Sequence, residues 1–185
     1  MKHIFYHLTA IMVVAVWGMT FISTKVLIVH GLSAQEIFLF RFLLAYAAVC
    51  PISFHRFFAR NLKDELYLVG GGVLGGSLFF FLQNIALGLT QASNVSFIIC
   101  MAPLLTAVLT VLSVRTEKVS RGFIYGSIIA LLGVGLLIFN GSFILRISPL
   151  GDLLTLLASL SWAFYSLVIR SLTRKYSPAF ITRKI

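Results

Sequence analysis

The chain has 185 residues, of which 59% are hydrophobic and 11% charged, and its formal net charge is +10. Soluble domains carry about 25% charged residues, so there is too little polar surface here for a water-soluble fold. The basic excess sits in the short gaps between apolar runs rather than on one face of a domain, which argues against nucleic acid as a partner.

Six apolar runs follow one another, at roughly 8–29, 35–54, 66–88, 94–114, 122–140 and 151–170. At about 1.5 Å per residue each is long enough to cross a hydrocarbon core of about 30 Å. The expectation is an all-α membrane protein, a bundle of about six transmembrane helices. The first run is too long for a signal peptide, and no small-x-small cleavage site is followed by a soluble domain. It reads as the first span. Lys25 lies near its far end, and Trp17 near its middle. The second run carries Glu36 near its mouth and Arg41 about two turns in. Charges in hydrocarbon are costly and face protein. An ion pair from Glu36 to Lys25 or Arg41 across the hairpin is one expectation. A contact with an anionic substrate, or a gate, is the other.

The third run opens on Gly70, Gly71, Gly72, Gly75 and Gly76. The pairs Gly71/Gly75 and Gly72/Gly76 have the spacing that lets helices in lipid approach closely. Gly122 and Gly126 repeat it in the fifth run. Deep in the third run lie Gln83 and Asn84, amides that need another helix or a wet cavity as partner. Three consecutive phenylalanines, 79 to 81, cannot share one helix face, so at least one meets lipid. The fourth run holds Asn94, Ser96, Thr106 and Thr110, with Pro103 midway, where the missing N–H predicts a kink. Cys50 and Cys100 lie inside apolar runs and read as small core residues without zinc spacing.

The basic residues set a topology. Lys2, Arg56, Arg60, Lys63, Arg115, Lys118, Arg121, Arg170, Arg174, Lys175, Arg183 and Lys184 fall on one side, and Arg146 alone on the other. By the positive-inside rule both termini are cytoplasmic. His3, His7, His30 and His55 lie at or beyond span ends, so no span offers a Ser–His pair. Asp64 and Asp152 are at span edges, and no Gly-rich phosphate loop is present. An enzyme is not expected, nor a cofactor or a metal.

The sixth run resembles a restart of the first. Trp17 precedes Lys25 by eight residues, and Trp162 precedes Arg170 by eight. The second copy is offset from the first by five spans, an odd number, so it enters the membrane from the opposite side, as in the inverted repeats of secondary transporters. The ordered motifs are Trp17-Gly18 with Phe21 and Lys25, Arg41-Phe42 with Leu44-Ala45, Ala86-Leu87 with Ala92, Pro103-Leu104, Glu117 with Gly126 and Gly133-Val134, Gly151-Asp152 and Trp162-Ala163. Together they resemble the drug/metabolite transporter superfamily, in its EamA-type permease branch.

That resemblance implies ten helices in two inverted five-helix repeats, and export or exchange of amino acids, metabolites or drugs across the inner membrane without ATP. It divides the chain into a first repeat, 1–145, and the first helix of a second repeat with a basic cytoplasmic tail, 146–185. Four further helices of that repeat would be missing, so a truncated permease is expected. A non-transporting fragment or assembly partner is the alternative. The partners implied are the lipid bilayer and a small-molecule substrate. A homodimer could complete the cavity. By the same resemblance Trp17, Gln83, Asn84, Ser96, Pro103 and Trp162 are candidate cavity residues.

Overall fold

The computed structural model describes residues 2–53, 58–113, 120–139 and 148–185, and within them every regular element is helical. The charges at Arg56, Arg115, Lys118 and Arg146, with His55 and Glu117, lie outside the described residues, as does the boundary drawn at 145/146. Hydrocarbon supplies no hydrogen-bond partner, so a backbone crossing it must pair with itself, and long apolar runs therefore become helices. The chain is an all-α membrane bundle.

Helix α1 (Lys2–Val29) is followed by a turn in which Gly31 takes a φ of 99°, the left-handed conformation that ends helices on glycine. Helix α2 (Ala34–Val49) starts on a capping box. The Ser33 hydroxyl oxygen accepts from the Glu36 N–H at 3.2 Å, and the Glu36 carboxylate accepts from the Ser33 N–H at 2.8 Å. One 3-10 turn (Cys50–Ser53) extends it. Helix α3 (Leu62–Gly71), a π segment (Gly72–Leu78) and α4 (Phe79–Leu89) form one rod. Helices α5 (Ala92–Ile99) and α6 (Ala102–Ser113) are separated at Cys100 and Met101. There the Met101 N–H turns back to the Ile98 carbonyl at 3.0 Å, and Leu105 resumes the ladder on Met101. The break expected of Pro103 thus falls just before it. Helices α7 (Arg121–Phe139), α8 (Pro149–Arg170) and α9 (Pro178–Lys184) complete the chain.

Among the described residues four segments are long and apolar enough to cross a membrane: Ile4–Val29, Leu62–Leu89, Ala92–Ser113 and Pro149–Arg170. These are the first, third, fourth and sixth expected spans. Helix α2, with 16 residues, is shorter than the roughly 20 a span needs. The apolar stretch described within α7 is Arg121–Gly133.

Helix α8 is the hub. It packs against α3, the π segment, α4, α5 and α6. Its buried residues are mostly small: Gly151, Thr155, Ala158, Ser159, Ser161 and Ala163. Small side chains bring helix axes close, which is how helices associate when no hydrophobic force separates them from lipid. The glycines opposite do the same. A β-carbon at Gly75 would stand 2.5 Å from the Tyr165 ring, and one at Gly76 would stand 2.8 Å from the Ile185 carbonyl oxygen. The fifth-run glycines behave differently from expectation. Among the described residues Gly122, Gly126 and Gly133 have nothing within 4 Å of an added β-carbon, so there this second glycine motif makes no close approach. Of the three phenylalanines, Phe79 is fully buried and Phe81 exposed.

Two clusters form the core. One joins Phe21, Phe79, Leu87, Val95 and Ala158; the other joins Leu68, Ile169, Leu172, Tyr176 and Phe180. The second places the basic tail in the bundle. Helix α9, begun by Pro178 and by the Ser177 oxygen accepting from the Phe180 N–H, folds back on α2, α3 and the 3-10 turn.

The Gly75–Tyr165 contact predicts that Gly75→Val lowers the stability of the bundle by about 1–3 kcal/mol, the usual cost of overpacking. Gly122→Val should leave it unchanged. Thermal unfolding of the purified protein in detergent checks both, and equal melting temperatures for the two variants would refute the close approach.

Candidate functional site

Two cavities flank α8. The first, about 470 Å³, lies among α1, α5, α6, α7 and α8. The second, about 510 Å³, lies among α2, the π segment, α4, α8 and α9. Both volumes fall in the range of about 300–1,000 Å³ typical of small-molecule sites. Trp162, in the middle of α8, lines both. Its ring is held by Phe79 at a centroid distance of 4.8 Å, Tyr165 at 5.0 Å and Trp17 at 5.9 Å. This aromatic stack is the partition between the two spaces.

The first cavity unites four of the six cavity residues expected from sequence. Trp17 comes from α1, Ser96 from α5, Pro103 from α6 and Trp162 from α8. The walls are largely apolar. The Ser96 hydroxyl donates to the Ala92 carbonyl at 2.7 Å, so its proton stays within its own helix. Ser127 of α7 also lines the space.

Gln83 and Asn84 are not brought to it. Both are fully buried in α4 and line neither cavity. Asn84 Nδ2 donates to the Ala34 carbonyl at 3.4 Å, while Asn84 Oδ1 and both polar atoms of Gln83 have no protein partner. Buried polar atoms are nearly always paired, so these three mark an unusual spot in the packing.

The three intramembrane charges take three different roles. Lys25 Nζ donates to the carbonyls of Leu87 at 2.5 Å and Thr90 at 2.9 Å. It caps the C-terminal end of α4, where free carbonyls and the helix dipole both favour a cation. Glu36 is exposed and is occupied by Ser33, whose hydroxyl also donates to it at 2.8 Å. Among the described residues it makes no ion pair with Lys25 or Arg41, so the expected staple across the hairpin is replaced by the helix cap. The cause is distance along the chain: Ser33 is three residues away and always in reach. Arg41 Nη2 donates to Thr24 at 3.5 Å, its guanidinium lies 5.4 Å from the centre of the Phe80 ring, and Nη1 is buried without a partner.

Sequence reasoning missed the polar ties at the two ends of α8. At one end Asp152 accepts from the Thr90 hydroxyl at 3.3 Å and from the Ser148 N–H at 3.1 Å. At the other, buried Asp64 accepts from Lys175 Nζ and from the Tyr176 hydroxyl, both at 2.9 Å, and Tyr176 accepts from the Arg60 N–H at 2.8 Å. Lys184 pairs with Glu65 beside it. The partners of Asp64 are more than 100 residues away in sequence, and no local pattern signals them. Among the described residues no group of His, Cys, Asp and Glu is placed to hold a metal ion.

Long apolar helices, buried polar ties and internal cavities together describe a multi-pass membrane protein. Comparison with protein families then gives its kin: the model of the EamA-like transporter family matches residues 4–139, from the start of α1 to the end of α7. The chain belongs to the EamA-like transporter family, a family of membrane transporters of the drug/metabolite type and not of enzymes. No curated protein and no solved structure matched the chain.

Replacing Gln83 with Met removes both unpaired atoms at similar volume. We expect Gln83→Met to raise stability by about 1–3 kcal/mol, the usual cost of an unsatisfied buried polar group. A lower melting temperature in detergent would instead mean that these atoms are satisfied by something other than protein.

Proposed function

We propose that the protein is an integral inner-membrane transporter that exports small metabolites, amino acids or drugs by alternating access. Both termini face the cytoplasm, residues 1–145 form one five-helix repeat, and 146–185 begin an inverted second one. The observation that carries this reading is the first cavity. It is a space of about 470 Å³ between helices long enough to span the membrane, walled by Trp17, Ser96, Pro103 and Trp162. Transporters of this kind bind substrate near the midplane, where helices are broken and backbone groups can serve the ligand. Two irregular stretches support a midplane site: the α5–α6 break borders the first cavity, and the π segment borders the second. The ties at both ends of α8 support a fixed frame made of α8 and the third span. Around that frame the other helices move to open one side and then the other.

If Trp17 and Trp162 form the substrate wall, Trp17→Ala and Trp162→Ala should each reduce counterflow in proteoliposomes about tenfold or more, a loss of roughly 1.4 kcal/mol of stabilisation. Amounts inserted in the membrane should not change. Flux at the parent level in both variants would overturn the cavity assignment. Orientation is tested separately in a Cys50→Ser, Cys100→Ser background. A membrane-impermeant maleimide should label Gln91→Cys but not Arg174→Cys in intact cells. The reverse pattern would invert the topology.

A further inference from the structure

The second cavity has a different chemistry from the first. Arg41 lines it from α2, about 10 Å along the helix from its start. A guanidinium at that depth needs a counter-charge or a full set of acceptors. It has one long bond, 3.5 Å to Thr24, and a terminal nitrogen with none. The nearest acid on its own helix, Glu36, is engaged by Ser33. Two further cations line the cavity. Lys184 is paired with Glu65, and Arg183 lies 5.7 Å from the Phe180 ring. Among the described residues no acidic side chain lines it. The rest of the wall is aromatic and small. Phe38, Phe42 and Phe80 form linked ring pairs, and at Gly75 and Gly76 the Tyr165 ring and the Ile185 backbone come in where side chains would stand.

We propose that this cavity binds an oxyanion, a carboxylate or phosphate carried on an apolar body, through the Arg41 guanidinium. The planar fork of an arginine takes two oxygens of such a group at once. The oxyanion completes the hydrogen-bonding set that the protein leaves open, and the phenylalanine wall takes the apolar body. A small organic acid and an acidic phospholipid both carry this chemistry. The inference does not depend on transit through the first cavity, because it requires only the folded chain to bind.

The test uses the purified full chain in phosphatidylcholine nanodiscs, with radiolabelled phenylacetate as probe and radiolabelled 2-phenylethanol as its neutral counterpart. Phenylacetate should bind saturably and at least tenfold more tightly than 2-phenylethanol. Arg41→Gln should weaken phenylacetate at least tenfold without changing 2-phenylethanol, and Arg41→Lys should fall between. Equal binding of the two probes to the parent protein would overturn the proposal. That comparison needs no substitution and so survives a variant that fails to fold. Undiminished phenylacetate binding to folded Arg41→Gln would overturn it equally. Adding phosphatidylglycerol to the nanodiscs separates the sources. Displacement of phenylacetate supports the oxyanion site with a lipid as its occupant, and no displacement supports it with a soluble acid. Counterflow through the Trp17 cavity is measured independently, so the two readings can fail separately.

Discussion

Hydrocarbon offers no hydrogen bonds, and the bundle is organised around that lack. Serine and threonine hydroxyls in the helices largely turn back to carbonyls one turn earlier, as Ser96, Thr106, Thr110, Thr155 and Ser166 do. Where the helical ladder is disturbed, a neighbour supplies the bond. The π segment is braced by the Ser161 hydroxyl, which donates to the Leu74 carbonyl at 2.8 Å. The end of α4 is closed by Lys25. Against this thoroughness the unpaired atoms of Arg41, Gln83 and Asn84 stand out as places where the protein alone is incomplete.

Close packing is the second consequence. Helices in lipid adhere by fitting rather than by fleeing water. Helix α8 therefore carries a stripe of small residues, and its partners answer with glycines. At Gly75 the approach is so close that the Tyr165 ring occupies the space of a side chain. The same ring touches Trp162, so the glycine fixes the position of the partition between the two cavities. Packing and site geometry are in this way one arrangement.

Much of this was legible in the chain. The apolar runs, the breaking power of Pro103 and the family membership follow from residue type and order, because the span of a bilayer and the missing N–H of proline act locally. Trp17, Ser96, Pro103 and Trp162, named as cavity candidates by family resemblance, line the first cavity. Gln83 and Asn84, named with them, line neither of the two cavities. Depth in the membrane says that Gln83 and Asn84 face protein, but not whether that protein encloses a cavity or a solid core. The second glycine motif misled for a related reason: spacing allows a close approach, and a partner helix must still be there to make it.

The sequence by itself determined the solvent, the helical class and the family, because each depends on composition and on periods shorter than one helix. Tertiary structure alone decided the rest. It made α8 the hub, since five segments converge on it from distant parts of the chain. It drew Lys25 to the carbonyls of α4, and Asp64 to Lys175 and Tyr176. It also set Arg41 beside an aromatic cavity in whose walls, among the described residues, no acidic side chain stands. Charges find partners by distance in space, and sequence records distance only along the chain.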